Sequence, residues 1–219
     1  MKWNWRYLKS FISEVVVEEG RSEISPGLQV WYAFGRKMLN TANVNYSFGR
    51  LDRVFRSAFH QLKIGERDIH DVLLLGLGAG NVPAILQEYD PGIRVVALEI
   101  DPEVLRLAEA HFGLVQGPKL EVILADAIDY VFGAQESFDM VVVDLFVDDV
   151  VPERACTPAF LGHLPRLLRS GGLLIFNRLA HTEGLLRETE AFGRTMMETL
   201  PGTRFMRADL NKLLVYEGR

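Results

Sequence analysis

The chain has 219 residues, 48% of them hydrophobic and 24% charged, enough for one domain with a sizeable core, or one domain plus a small extension. A net charge of −5 argues against a nucleic-acid partner, since such partners draw on clustered cations. One cysteine, Cys156, excludes an internal disulfide and fits a reducing compartment. Met1-Lys-Trp-Asn-Trp-Arg6 carries no leader pattern, and no run approaches the roughly 18 apolar residues of a membrane span. The expectation is a cytoplasmic protein with no membrane partner.

Residues 1–66 differ from the rest. Ser13-Glu-Val-Val-Val-Glu-Glu19 and Leu28-Gln-Val-Trp-Tyr-Ala-Phe34 are strand-like, separated by Gly20 and the turn pair Pro26-Gly27. They predict two or more short antiparallel strands. A polar stretch follows, and then Leu51, Val54, Phe55, Ala58 and Phe59 recur at helical spacing, which predicts a helix over 51–63. Trp3, Trp5, Trp31, Tyr32 and Phe34 concentrate apolar area here. They either pack the extension onto the core or form the subunit interface of a homodimer.

Val72-Leu-Leu-Leu-Gly-Leu-Gly-Ala-Gly80 reads as a buried parallel strand turning tightly into a helix. Glycine lets backbone approach a ligand closely, and the helix start presents unpaired N–H groups. Nineteen residues on, Glu99 closes a second apolar run, where a carboxylate accepts the hydroxyls of a ribose. A dinucleotide fingerprint needs a third glycine at position 81, which here is Asn81. The Gly76-x-Gly78-x-Gly80 spacing therefore suits an S-adenosyl ligand better than NAD. A tight strand–helix connection with no ligand is the plain alternative, and the acid at the right distance disfavours it.

Strands are further predicted at 95–99, 120–124, 139–144 and 172–177, with helices at 80–89, 102–112, 126–133, 158–169 and 183–199. This alternation implies right-handed crossovers and an α/β, doubly wound, mainly parallel sheet. Thr203-Arg-Phe-Met-Arg207 and Lys212-Leu-Leu-Val-Tyr216 leave no room for a helix between them, and predict an antiparallel hairpin at the sheet edge. The expected partition is a β-rich extension with a linking helix over 1–66 and a ligand-binding domain over 67–219.

Leu75-Gly-Leu-Gly-Ala-Gly80, Leu98-Glu-Ile-Asp-Pro-Glu-Val104, Leu124-Ala-Asp-Ala127, Phe138-Asp-Met-Val-Val-Val-Asp144 and Leu168-Arg-Ser-Gly-Gly-Leu-Leu174, with the terminal hairpin, resemble the class I S-adenosylmethionine methyltransferase fold. Within it they are similar to the spermidine synthase family and its relatives. The resemblance implies a seven-stranded sheet and a donor site for S-adenosylmethionine or its decarboxylated form. It implies that Gly76, Leu77, Gly78 and Gly80 line the sulfonium nucleoside and that Glu99, followed by Ile100, takes the ribose. Asp126 and Ala127 would meet the adenine edge, and Asp144 would serve as the base that deprotonates an attacking amine. The chain departs from the spermidine synthase pattern at Ala79, where that family carries an aspartate, and over Leu145-Phe-Val-Asp-Asp-Val-Val-Pro152.

Asp148, Asp149 and Glu153 beside Asp144 form either a pocket for a cationic amine or a solvated loop with helix-capping acids. Methyl transfer from a sulfonium relies on in-line positioning, so Asn43, Asn45, Tyr46 and Asn177 are candidates to orient an acceptor or ordinary turn residues. His181 is the one histidine worth testing as a base, and no His/Cys spacing suits a metal. Three readings remain open: a methyltransferase acting on a small molecule, such as an amine; an aminopropyltransferase using a diamine; and a non-catalytic adenosyl-ligand-binding protein. An open cavity beside the sulfonium position separates the first two from the third.

Overall fold

The computed structural model describes residues 5–41, 50–147 and 149–218. Trp3, Asn43, Asn45, Tyr46 and Asp148 lie outside them. A short helix α1 (Trp5–Lys9) precedes a three-stranded antiparallel sheet of β1 (Val15–Glu19), β2 (Gln29–Ala33) and β3 (Arg36–Asn40). Phe34 and Gly35, at φ 48 and 72, make the two-residue turn between β2 and β3. Such a turn needs positive φ at both positions and is usually announced by Asn-Gly. Phe-Gly hides it, and Phe34 stands 77% exposed. Trp5 is exposed as well, whereas Trp31 and Tyr32 are half-buried.

Helix α2 (Arg50–Gln61) turns Val54, Phe55, Ala58 and Phe59 inward, as their spacing predicts. The large sheet follows in strict alternation: β4 (Asp71–Leu75), α3 (Asn81–Tyr89), β5 (Arg94–Glu99), α4 (Pro102–Phe112), β6 (Leu120–Leu124), α5 (Ala127–Gly133), β7 (Phe138–Val143), α6 (Pro158–His163), β8 (Leu168–Leu179), α7 (Glu183–Thr199) and the hairpin β9 (Arg204–Ala208)–β10 (Asn211–Glu217). Its order is β6-β5-β4-β7-β8-β10-β9, with β10 antiparallel between β8 and β9. The five strands from the β6 edge to β8 run parallel. The direction of winding reverses at β4, whose neighbours are β5 and β7.

Several element boundaries need correction. The helix predicted over 158–169 stops at His163 and tightens into a 3-10 turn over Leu164–Leu167. Pro165 lacks the N–H that would bond back to Leu161. Strand β8 then starts at Leu168, four residues early, through an irregular register against β7. Gly80 and Asp126, expected as first helical residues, are instead the N-caps of α3 and α5.

Both faces of the central strands are covered, which is why they read as unbroken apolar runs. Val72 and Leu74 of β4 join α2 and α3 in one core. Leu73 and Leu75 point the other way, into a core with α5, α6 and α7. A smaller cluster of Leu28, Val30 and Leu39 with Ala79, Val104 and Leu107 seats the three-stranded sheet on α4, above the carboxyl ends of β4 and β5. Among the described residues no helix is long and apolar enough to cross a membrane.

Candidate active site

A cavity of about 310 Å³ opens at the carboxyl ends of β4, β5, β6 and β7, at the switch point where open α/β sheets hold ligands. Gly76 leaves β4 at φ +95, and a Cβ there would come within 2.3 Å of the Asp144 carbonyl oxygen. Only glycine lets β4 and β7 end so close together. Asp144 N donates to Leu75 O at 2.8 Å and so stitches the end of β7 to β4, while Gly76 N donates to Leu98 O of β5 at 3.1 Å.

Glu99 is 8% exposed at the end of β5. Its Oε1 accepts from the backbone N–H groups of Ile100 (2.9 Å) and Asp101 (3.0 Å), and its Oε2 from Gly78 (3.2 Å). Burial pushes its carboxyl above the ordinary range, and these amides pull against that. The glycine turn and the acid are thus one unit, and Oε2 keeps acceptor capacity for a further donor.

Asp126 caps α5 through Ile128 N at 2.7 Å, and its other oxygen accepts from Arg154 Nη1 at 3.1 Å. Arg154 also pairs with Asp129. Asp144 is held from behind. Asn211 Nδ2 donates to Asn177 Oδ1 and Asn177 Nδ2 to Asp144 Oδ1, each at 2.8 Å. Burial raises the Asp144 carboxyl from 3.8 to about 6, against the lowering effect of the Asn177 bond.

Of the residues expected at the site, Gly76, Gly78, Glu99, Ile100, Asp126, Ala127 and Asp144 line the cavity. Leu77 turns into the core beside α2 and Gly80 packs under Leu114, so neither lines it. Asp149, Glu153 and the exposed His181 are off the wall too. Thr157 caps α6 through Phe160 N. Asn177 is fully buried and supports Asp144 rather than reaching the cavity. The wall also includes Ile24, Ser25 and Arg154, which no sequence pattern singled out, and Leu51, which the helical spacing had assigned to the apolar face of α2. Among the described residues no cluster could hold a metal ion.

Residues 73–176 match the family model described as a methyltransferase domain. A spermidine synthase solved in complex with the transition-state analogue AdoDATO superposes with a TM-score of 0.74, at 14% identity, over 93% of this chain and 74% of that one. The fold is that of the class I methyltransferases. Two curated relatives are named for different chemistries. A Drosophila melanogaster eEF1A lysine and N-terminal methyltransferase homolog is 32% identical over 133 residues, 56% of this chain and 20% of its own. The polyamine aminopropyltransferase of Vibrio vulnificus (strain CMCP6) is 34% identical over 109 residues, 48% of this chain and 36% of its own. The chain thus matches about a fifth to a third of the length of these relatives. Within the methyltransferase fold, its glycine turn, Glu99, Asp126 and Asp144 all lie inside the matched segment.

Proposed function

We propose that this chain is an S-adenosylmethionine-dependent methyltransferase acting on an amine, in our reading a small molecule. The observation that carries the reading is Asp144. It lines the cavity at the end of β7, and its carboxyl is fixed by Asn177 and pushed up to about 6 by burial. A base so poised is ionised at neutral pH yet still has a real affinity for a proton. The donor lies with its ribose on Glu99, its adenine toward Asp126 and Ala127, and its sulfonium beside Gly76 and Gly78. The acceptor nitrogen attacks the methyl carbon in line, the carbon–sulfur bond breaks to release S-adenosylhomocysteine, and an N–H proton passes to Asp144. Positioning and exclusion of water carry most of the remaining barrier reduction.

Aminopropyl transfer is the second reading, and the Vibrio relative favours it. Against it, position 79 holds an alanine, 4% exposed and packed among Leu28, Leu39 and Leu107, where the spermidine synthase pattern has an acid. The division into an extension over 1–66 and a donor-binding domain over 67–219 belongs to the same proposal, with the acceptor entering between them.

Calorimetric titration with S-adenosylmethionine and with its decarboxylated form tests the reading. The carboxylated donor is expected to bind more tightly, and Glu99→Ala to weaken it by about tenfold to a hundredfold, the effect of losing one or two charge-assisted hydrogen bonds. Label transfer from methyl-labelled donor to diamines and to a lysine peptide then identifies the acceptor. Preference for the decarboxylated donor would replace the proposal with aminopropyl transfer, and binding of neither would remove the donor assignment.

A further inference from the structure

In the connection between β1 and β2, residues 20–28, Ser25 and Leu28 are buried and Ser22 and Ile24 half-buried. The connection lies along the start of α4, held by one hydroxyl. Ser22 Oγ donates to Asp101 Oδ2 and accepts from Ile24 N at 3.0 Å and Ser25 N at 2.7 Å. One donated and two accepted bonds exhaust what a hydroxyl can make. Arg21 N adds a bond to Glu103 Oε1 at 3.0 Å. Asp101, the acid on which this hangs, is 2% exposed and caps α4 through Glu103 N with its other oxygen. Its own N–H donates to Glu99 Oε1. A continuous path of hydrogen bonds therefore runs from the connection to the cavity acid, and Ile24 and Ser25 stand on the cavity wall with Glu99 and Ile100.

We infer that Ser22 is a positioning residue, strapping the extension onto the turn at Glu99–Asp101 so that Ile24 and Ser25 form one wall of the S-adenosyl-donor site. The inference rests on the donor assignment proposed above. Removing the hydroxyl frees the two backbone N–H groups and leaves a buried carboxylate oxygen without its donor. The wall then opens on the side of the ribose. Because linkage is reciprocal, donor binding also holds the strap closed.

The probe is S-adenosylhomocysteine, with two readouts on the full chain. Ser22→Ala is expected to bind it about tenfold more weakly, the fold-change of one lost charge-assisted hydrogen bond, while Ser22→Thr restores binding. In the unmodified protein, trypsin cleavage after the exposed Arg21, followed as the fragment ending there, is expected to slow when S-adenosylhomocysteine is added. A residue that served only folding would lower the melting temperature of Ser22→Ala without changing the dissociation constant. If the unmodified protein binds the probe but its cleavage after Arg21 is unaffected, or if Ser22→Ala binds equally tightly, the inference is overturned and the proposed function stands. If the unmodified protein does not bind the probe, both fall. Should Ser22→Ala fail to fold, the cleavage experiment decides alone.

Discussion

At the scale of single residues, the chain Asn211–Asn177–Asp144 fixes the carboxyl that the proposed function uses as its base. Asp144 ionises in the folded protein at about 6 against an ordinary 3.8. A carboxyl whose folded value is raised adds stability at low pH, and that stability is lost as pH rises through about 6. At neutral pH the ionised, buried Asp144 is therefore a cost to the fold. Asp144→Asn is expected to raise stability by about 1–3 kcal/mol at about pH 8, where the buried carboxylate is charged, and by little at about pH 4, where it is protonated. The same change abolishes transfer if Asp144 is the base. Thermal unfolding at the two pH values checks the first point. An equal difference at both would show that Asp144 is not perturbed as its burial requires.

At the scale of elements, the junction of β4 and β7 depends on one missing atom. Gly76→Ala places a methyl group 2.3 Å from the Asp144 carbonyl, at a φ of +95 that side chains rarely adopt. Strain at such a backbone costs about 1–3 kcal/mol before the clash is counted, so strand ends must separate and the cavity floor shift. The expected result is a chain with a lower denaturation midpoint and no measurable donor binding. Retention of both would mean that the turn is soft. This element was readable because its strand is buried on both faces and its glycines sit at fixed offsets. Asp144 was readable for a similar reason, lying at the end of an apolar run. Asn177 was visible but not interpretable, since only the fold sets it behind Asp144. Asn211 and Ser22 were hidden altogether, because their partners stand 34 and 79 positions away. Strand β3 was hidden by Phe34, and the early stop of α6 by the weak signal of a lone Pro165 within an apolar run.

At the scale of the whole molecule, the two sheets are unequally anchored. The seven-stranded sheet sits between two extensive cores, whereas β1–β3 rests on α4 through the small cluster around Leu28, Val30 and Leu39. Local stability follows local burial, so amide hydrogens of β1 and β2 are expected to exchange faster than those of β4 and β7 in the ligand-free protein. On the proposed donor assignment, a donor analogue touching Glu99 on one side and the Ile24–Ser25 wall on the other is expected to bind only when both sheets are in place. At a hundredfold excess over its dissociation constant it should stabilise the native state by about 2.7 kcal/mol, raising the melting temperature by about 5–10 °C for a chain of this size. Part of that gain must appear as slower exchange in β1–β3, because the state that loses this sheet also loses one wall of the site. Hydrogen exchange with and without S-adenosylhomocysteine measures it. Protection confined to β4–β7 would mean that the donor site is built by the large sheet alone, and that the extension serves only the acceptor.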